Sequence, residues 1–280
     1  EKAPIMYNVI YFDGTVASDP SNEKFVHNEF GVNYKFGKLG LNASAYNTDW
    51  QDRNLTKSVT TGQGDSGDTD VIFLTGVNQK HSGVELETNY MVNDMLDLMF
   101  VASFGNWKFD GDANGNYQET EYNSEGQAVG YKTTEYAYAL DGLYVGDMPQ
   151  TSYVLGVTLK PIKDLRIQAI HKMYDKNYSD WSPSAREFDG TNDDADRAQV
   201  WEAPSYNRLD LHMSYKLPKV KDLDMMLTAN IFNVLDEVYV QDAVDNSQYN
   251  GYGSKNHLPH NAEVFLGTPR YANIGLTINF

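Results

Sequence analysis

The chain has no cysteine among its 280 residues, so neither a disulfide framework nor a thiolate metal site can hold it together. Basic residues are scarce: 22 Lys and Arg stand against 39 Asp and Glu, for a formal charge of −17. Neutralising phosphates takes a basic surface, so a nucleic-acid partner is excluded. Long apolar runs are missing as well. No stretch of about 18 apolar residues occurs, which removes a membrane-spanning helix. It leaves a membrane-spanning strand open, because such a strand needs only about 9–11 residues with every second one apolar. A mean hydropathy of −0.55 therefore carries little weight. Neither an initiator Met nor a signal peptide stands at Glu1, and the expectation is a processed or truncated chain that has lost an N-terminal part.

What the chain does have is tyrosine and alternation. Its 20 Tyr are a high count for a residue that favours positions with one apolar and one wet side. Phe30, Val32, Tyr34 and Phe36 alternate with Gly31, Asn33 and Lys35, and Leu98, Phe100, Ala102 and Phe104 alternate with Met99, Val101 and Ser103. About nine such segments recur, at 30–36, 39–45, 84–90, 96–104, 153–159, 165–169, 209–215, 225–231 and 272–280. Successive strand side chains point to opposite faces, so each segment has one apolar and one polar face. A soluble sandwich alternates too. The connections separate the two cases. Short ones (36–39, 91–94, 161–164, 218–222) alternate strictly with long polar ones (52–80, 110–150, 179–205, 241–269). Tight periplasmic turns and long extracellular loops are the pattern of an outer-membrane barrel, whereas four structureless loops of that length are foreign to a compact soluble domain.

The expected fold is all-β, a transmembrane antiparallel β-barrel. Single-chain bacterial barrels have even strand numbers, and an open sheet in lipid leaves two edges unpaired. Nine strands therefore call for a short strand hidden in a loop or for partners in a missing N-terminal segment. Residues Tyr7 to Phe12 are a candidate for the end of one further strand.

Two motifs carry a family resemblance. Pro269-Arg-Tyr-Ala-Asn-Ile-Gly-Leu-Thr-Ile-Asn-Phe280 ends on an outward-facing aromatic, like the C-terminal assembly signal of outer-membrane proteins. Leu227-Thr-Ala-Asn-Ile-Phe-Asn-Val-Leu-Asp-Glu-Val-Tyr239 resembles the N-L-F-D/N-x-x-Y strand of TonB-dependent transporters, and Gly267-Thr-Pro-Arg270 resembles that family's G-x-P-R lead into the last strand. The resemblance implies that residues 1–280 are the last nine or ten strands of a barrel of about 22 with a plugged lumen. It further implies import of a scarce ligand (ferric siderophore, haem, cobalamin, glycan or peptide) across the outer membrane. The implied partners are outer-membrane lipid, the N-terminal plug and barrel segment of the same receptor, and the TonB complex acting through that plug. The plug and the TonB box, which carry gating and energy coupling, are absent from this sequence, so the chain alone is not expected to transport. A smaller complete barrel acting as adhesin or passive pore is the alternative.

Several residue groups invite a chemical reading. Asp110, Asp112, Asn114, Asn116 and Glu121 lie in a D-x-D-x-N-G stretch followed by Glu, the spacing of a calcium loop. A solvated acidic loop is the bland reading, the preceding strand is foreign to an EF-hand, and no cofactor is otherwise required. His257 and His260 could ligate a metal or contact a ligand, although Pro259 breaks the helix that would align them. His212 and Ser214 share a strand face, as in outer-membrane phospholipases. That face is the polar one, opposite Leu211 and Met213, so an enzyme is not expected. Glu85, Glu87, Asp97, Arg166, Lys172, Arg208, Asp210 and Lys216 should line the lumen. Trp50, Tyr46, Trp107, Tyr174, Tyr178 and Trp181 fall where strands emerge into loops. They read as an interfacial girdle, with Trp107, Tyr178 and Trp181 the candidates for ligand contact.

Overall fold

The computed structural model describes residues 1–17, 20–61, 68–183, 186–188, 195–219, 221, 223–247 and 256–279. Its framework is β1 (Lys24–Phe36), β2 (Leu39–Thr61), β3 (Asp68–Asn93), β4 (Leu96–Phe109), β5 (Ala113–Tyr122), β6 (Ala128–Tyr138), β7 (Thr151–Leu159), β8 (Leu165–Asp175), β9 (Asn177–Tyr178), β10 (Glu187–Phe188), β11 (Glu202–Ala203), β12 (Tyr206–Lys216), β13 (Asp224–Phe232), β14 (Val240–Val244), β15 (Glu263–Leu266) and β16 (Tyr271–Asn279). Nine of these, β1, β2, β3, β4, β7, β8, β12, β13 and β16, form an antiparallel meander in which each pairs with the next. They are the nine segments the alternation marks.

Register turns the alternation into faces. One row crosses the whole wall as Phe36, Leu39, Tyr90, Leu98, Val157, Ala169, Leu211, Ile231 and Ala272. On the opposite face runs Asp97, Thr158, Gln168, His212, Asn230 and Asn273. Among the described residues the large apolar side chains of this face stand exposed: Phe30 is 75% exposed and Ile274 79%. Leaving such side chains in water forfeits about 1.5–3 kcal/mol each, so this face is built for lipid. The polar face satisfies itself by cross-strand bonds. Gln168 Nε2 donates to Thr158 Oγ1 at 3.2 Å, Asn230 Nδ2 donates to Asn273 Oδ1 at 2.8 Å, and Lys172 Nζ reaches the buried Asp210 at 2.9 Å.

β1 pairs only with β2 and β16 only with β13, so among the described residues the sheet is a wall and not a closed barrel. Residues 7–12 add no strand. Met6–Asn8 is a 3-10 turn, Ile10 bridges Val16, and the Tyr11 and Phe12 rings pack on Phe73 at 4.6 and 6.2 Å.

The long connections are not structureless. β2 and β3 continue past the wall as a hairpin, and Val71 to Thr75 of β3 then pair with Gln118 to Asn114 of β5. β5 pairs with β6, β6 with β10, β9 with β11, and β14 with β15. The hydrophobic core lies in this outer assembly: Ile72, Leu74, Val77, Phe109, Tyr138, Leu140, Leu143, Trp181 and Val200 form one cluster. Expected loops 52–80 and 110–150 are thus largely strand among the described residues, and the described part of 241–269 contributes the short pair β14–β15. Val220 and Asp222 of the last short turn, and the terminal Phe280 with its outward aromatic, lie outside the described residues.

Candidate functional site

The polar face of β1–β4 builds a site where the wall meets the outer assembly. Three rows descend it. The uppermost is His27, Thr48, His81 and Trp107, the next is Glu29, Tyr46, Gly83 and Gly105, and below them come Gly31, Ser44, Glu85 and Ser103. The two glycines set the geometry. A Cβ on Gly83 would stand 2.5 Å from the Tyr46 hydroxyl and 2.7 Å from the Phe104 carbonyl oxygen, and one on Gly105 would stand 2.8 Å from the Trp107 indole. Only a residue without Cβ lets each ring lie down on the wall. The two rings are tied edge to edge, Trp107 Nε1 donating to the Tyr46 hydroxyl at 2.9 Å.

Imidazoles flank the rings. His81 stacks on Trp107 with centroids 5.6 Å apart and planes 19° apart, and His27 lies 6.4 Å from Tyr46 at 25°. His27 Nδ1 is 2.7 Å from Thr48 Oγ1, and His81 Nε2 is 3.1 Å from Gln79 Oε1. Above, the Arg53 guanidinium sits 3.7 Å over the Trp50 ring and donates to Gln79 Oε1 at 2.6 Å. The resulting cavity of about 350 Å³ is lined by these aromatics together with Glu29 and Glu85. It is concave and aromatic with a few convergent polar groups, as small-molecule sites are.

Of the residues singled out in the sequence, the ligand candidate Trp107 belongs to this cavity, together with Tyr46 and Trp50 of the expected girdle and Glu85 of the expected lumen lining. Tyr178 and Trp181 do not: both are buried in the outer core, Tyr178 stacked on Tyr144 at 4.1 Å and Trp181 edge-on to Phe109. Both help to hold the outer assembly, and Trp181 also borders a separate cavity of about 200 Å³ with Lys57, Asp180 and Glu263. His257 and His260 are not brought together. His260 is exposed in the 3-10 turn Pro259–Asn261, while His257 is clasped between Asp245 (Nδ1, 2.5 Å) and Asp196 (Nε2, 2.7 Å). Arg186, fully buried, completes that clasp with 3.5 and 3.7 Å contacts to Asp245 and Asp196. Burial works against the charge of Asp196, yet the Ala198 amide, the His257 ring and Arg186 together hold its carboxyl below the ordinary range.

The calcium-loop spacing does not close into a loop. Residues from Ala113 onward are strand β5, so Asn114 and Glu121 stand roughly 23 Å apart at about 3.3 Å per residue. Asp110 pairs with Lys80 at 2.8 Å, and Asp112 takes a two-pronged bond from Arg197 at 3.0 and 2.9 Å, which depresses its carboxyl. Among the described residues no three His, Asp or Glu side chains converge as a metal group. His212 Nδ1 is held by Asn230 Oδ1 at 2.8 Å, and Ser214 stands opposite Arg166 and Thr228, so the two do not form a base–nucleophile pair.

Sequence reading passed over His27, Glu29, His81, Gly83 and Gly105. Their signal was glycine inside a strand on the inward phase, with an aromatic opposite it on the neighbouring strand (Gly83 and Tyr46) or two residues along its own strand (Gly105 and Trp107). The Arg186–Asp196–Asp245 clasp left no local signal, because its members are brought together only by the outer fold.

Comparison with known proteins agrees with this architecture. The family profile "TonB dependent receptor-like, beta-barrel" matches residues 3–234. The copper transporter OprC superposes with a TM-score of 0.60 at 15% identity, over 99% of this chain and 36% of OprC. The closed form of the ferric-catecholate import receptor Fiu from E. coli K12 gives 0.50 at 14% identity, over 92% of this chain and 28% of Fiu. At these identities the likeness is one of fold, and the chain spans about a third of either protein's length. No curated protein matches the chain in sequence. With its wall of nine consecutive strands and a family profile spanning most of its length, the chain belongs to the TonB-dependent receptor β-barrel family.

Proposed function

We propose that this chain is the C-terminal barrel wall and outward assembly of a Gram-negative outer-membrane importer. The remaining strands and a plug would lie N-terminal to it, and the TonB complex would drive uptake through that plug. The observation that carries the reading is one-sidedness. Tight turns close one end of the wall, a packed outer assembly crowns the other, an apolar face looks out, and a polar face with a concave aromatic site looks in. That is how a receptor is arranged to take a small molecule from outside and pass it along a polar lumen. The role proposed for that aromatic site is binding, as in the importers and receptors whose fold it shares. Trp107 is the residue through which a ligand would stack at this site. Calcium at Asp110, Asp112, Asn114, Asn116 and Glu121 gains no support from their arrangement along a strand.

The test is uptake by cells that depend on the intact receptor for growth on a limiting nutrient. Growth should be lost when TonB is deleted and when the outer hairpin β5–β6 is excised. Growth that persists without TonB would favour the passive pore. The unpaired edges of β1 and β16 weigh against that smaller complete barrel, since lipid cannot satisfy bare strand edges.

A further inference from the structure

We infer that the shelf formed by Tyr46 and Trp107 is a binding subsite for a planar organic cation. The inference rests on the importer reading, and it names the chemical class that the site selects.

Three observations converge. First, both rings lie flat because Gly83 and Gly105 remove the Cβ atoms that would lift them, and the Trp107–Tyr46 hydrogen bond locks them side by side. Filling a glycine gap needs only one ring over each. Two rings joined in one layer give a platform, and a ligand ring of about the same size fits the 350 Å³ above it. Second, the platform is edged by carboxylates. Glu29 and Glu85 belong to the cavity, and Glu85, exposed, has no hydrogen bond or ion pair among the described residues. A carboxylate left free beside an aromatic face is the pairing that recognises a cation, since ring quadrupole and carboxylate attract the same charge. Third, the nearest guanidinium, Arg53, is spent on the Trp50 ring and Gln79. An anion entering the shelf would meet Glu29 and Glu85, and among the described residues that line the cavity there is no Lys or Arg to receive it. A neutral sugar could stack but would gain nothing from the charge.

The experiment is ligand binding to the intact receptor purified in detergent, read by quenching of tryptophan fluorescence and by calorimetry. The probes are 1-methylnicotinamide, a planar pyridinium cation, and nicotinamide, its uncharged counterpart, with glucose as the neutral polyol. The expected result is at least tenfold tighter binding of 1-methylnicotinamide than of nicotinamide. Glu85→Gln should bring the two to near parity, and Trp107→Ala should abolish both, with each variant still showing the heat-modifiable mobility of a folded barrel. Should Trp107→Ala fail to fold, Glu85→Gln alone decides. Equal affinity for the two nicotinamides in the parent protein would overturn the proposal, as would tighter binding of glucose or indifference to Glu85→Gln. Because binding in detergent needs no TonB, loss of the importer reading would leave this result standing, and its failure would leave TonB-dependent uptake untouched.

Discussion

Replacing Arg186 by Met should loosen the outer assembly without unfolding the wall. The guanidinium is fully buried, and its partner Asp245 is 1% exposed. Arg186 also donates to the Asp196 carbonyl at 2.7 Å, and its own carbonyl accepts from the Ala139 amide at 2.9 Å. Removing one member of a buried ion pair leaves the other charge stranded, at a cost of about 3–5 kcal/mol. His257 also touches Asp245, and Asp196 reaches solvent, so the low end of that range applies here. About 3 kcal/mol raises the local opening equilibrium roughly a hundredfold. Hydrogen exchange followed by mass spectrometry on the intact receptor should show faster exchange in β14, β15 and residues 195–203, with β7, β8 and β12 unchanged. The double variant Arg186→Met with Asp245→Asn should recover most of the protection, because it removes the stranded charge. Exchange in the single variant within twofold of the parent, or a double variant as loose as the single, would refute the buried-charge reasoning.

Three further outcomes are expected. Gly83→Val should impair assembly by about 1–3 kcal/mol, since its Cβ meets both a ring and an immovable carbonyl oxygen; the midpoint of heat-modifiable unfolding reads it, and an unchanged midpoint would show that Tyr46 swings away freely. Ile274→Arg should cost about 2–4 kcal/mol of folding into vesicles while Asn273→Arg, one residue away on the opposite face, is tolerated; equal costs would contradict the assignment of faces. The Asp147 carboxyl is pushed up to about 6 by burial, then by the Asp180 charge and by a hydrogen bond with Asp242. Its folded pKa exceeds the ordinary carboxylate value near ~4, so the folded state binds the extra proton. The contact therefore tightens as pH falls from above 6 toward 4 and weakens as pH rises through about 6. Exchange of residues 145–148 and 240–244, corrected for intrinsic rate, should be slower at pH 5 than at pH 7.5, and the reverse order would count against the shared proton.

The wall was legible because one physical rule wrote it everywhere: lipid on one side and a wet lumen on the other force period-two alternation, and Leu211 or Ile231 could not change face without exposing polar atoms to lipid. The outer assembly was not legible, because its hairpins carry polar residues on both faces over long stretches and read as loop. Asp110, Asp112 and Asn114 show why: turn-forming, oxygen-rich residues match a calcium loop by spacing, yet the decisive contacts, Arg197 and Lys80, lie 85 and 30 residues away along the chain. The burial of Trp181 in the outer core was not legible for a related reason. An aromatic at a strand end serves a girdle, a ligand or a core equally well, and only the fold tells which neighbours close over it.

The two halves of the molecule also differ in how they can hold a ligand. A site made from long loops must first order them, and each rotamer-rich side chain fixed at an interface costs about 0.5–1.5 kcal/mol. The shelf avoids that cost, because its glycines, rings and carboxylates sit in consecutive rows of one hydrogen-bonded ladder. Their spacing is set by strand register, and sites carried on strands are held more precisely than sites on loops. The outer assembly, with its own buried core and its Arg186 clasp, meets the shelf at its edge, where Val145 and Gln150 hydrogen-bond the Trp107 backbone. Variants that loosen the distant clasp should therefore alter how fast a cation reaches the shelf while leaving its equilibrium affinity nearly unchanged, whereas Trp107→Ala should do the opposite. Stopped-flow and equilibrium titration on the same preparations would separate these effects, and a clasp variant that changed affinity as strongly as Trp107→Ala would mean that the outer assembly itself forms part of the site.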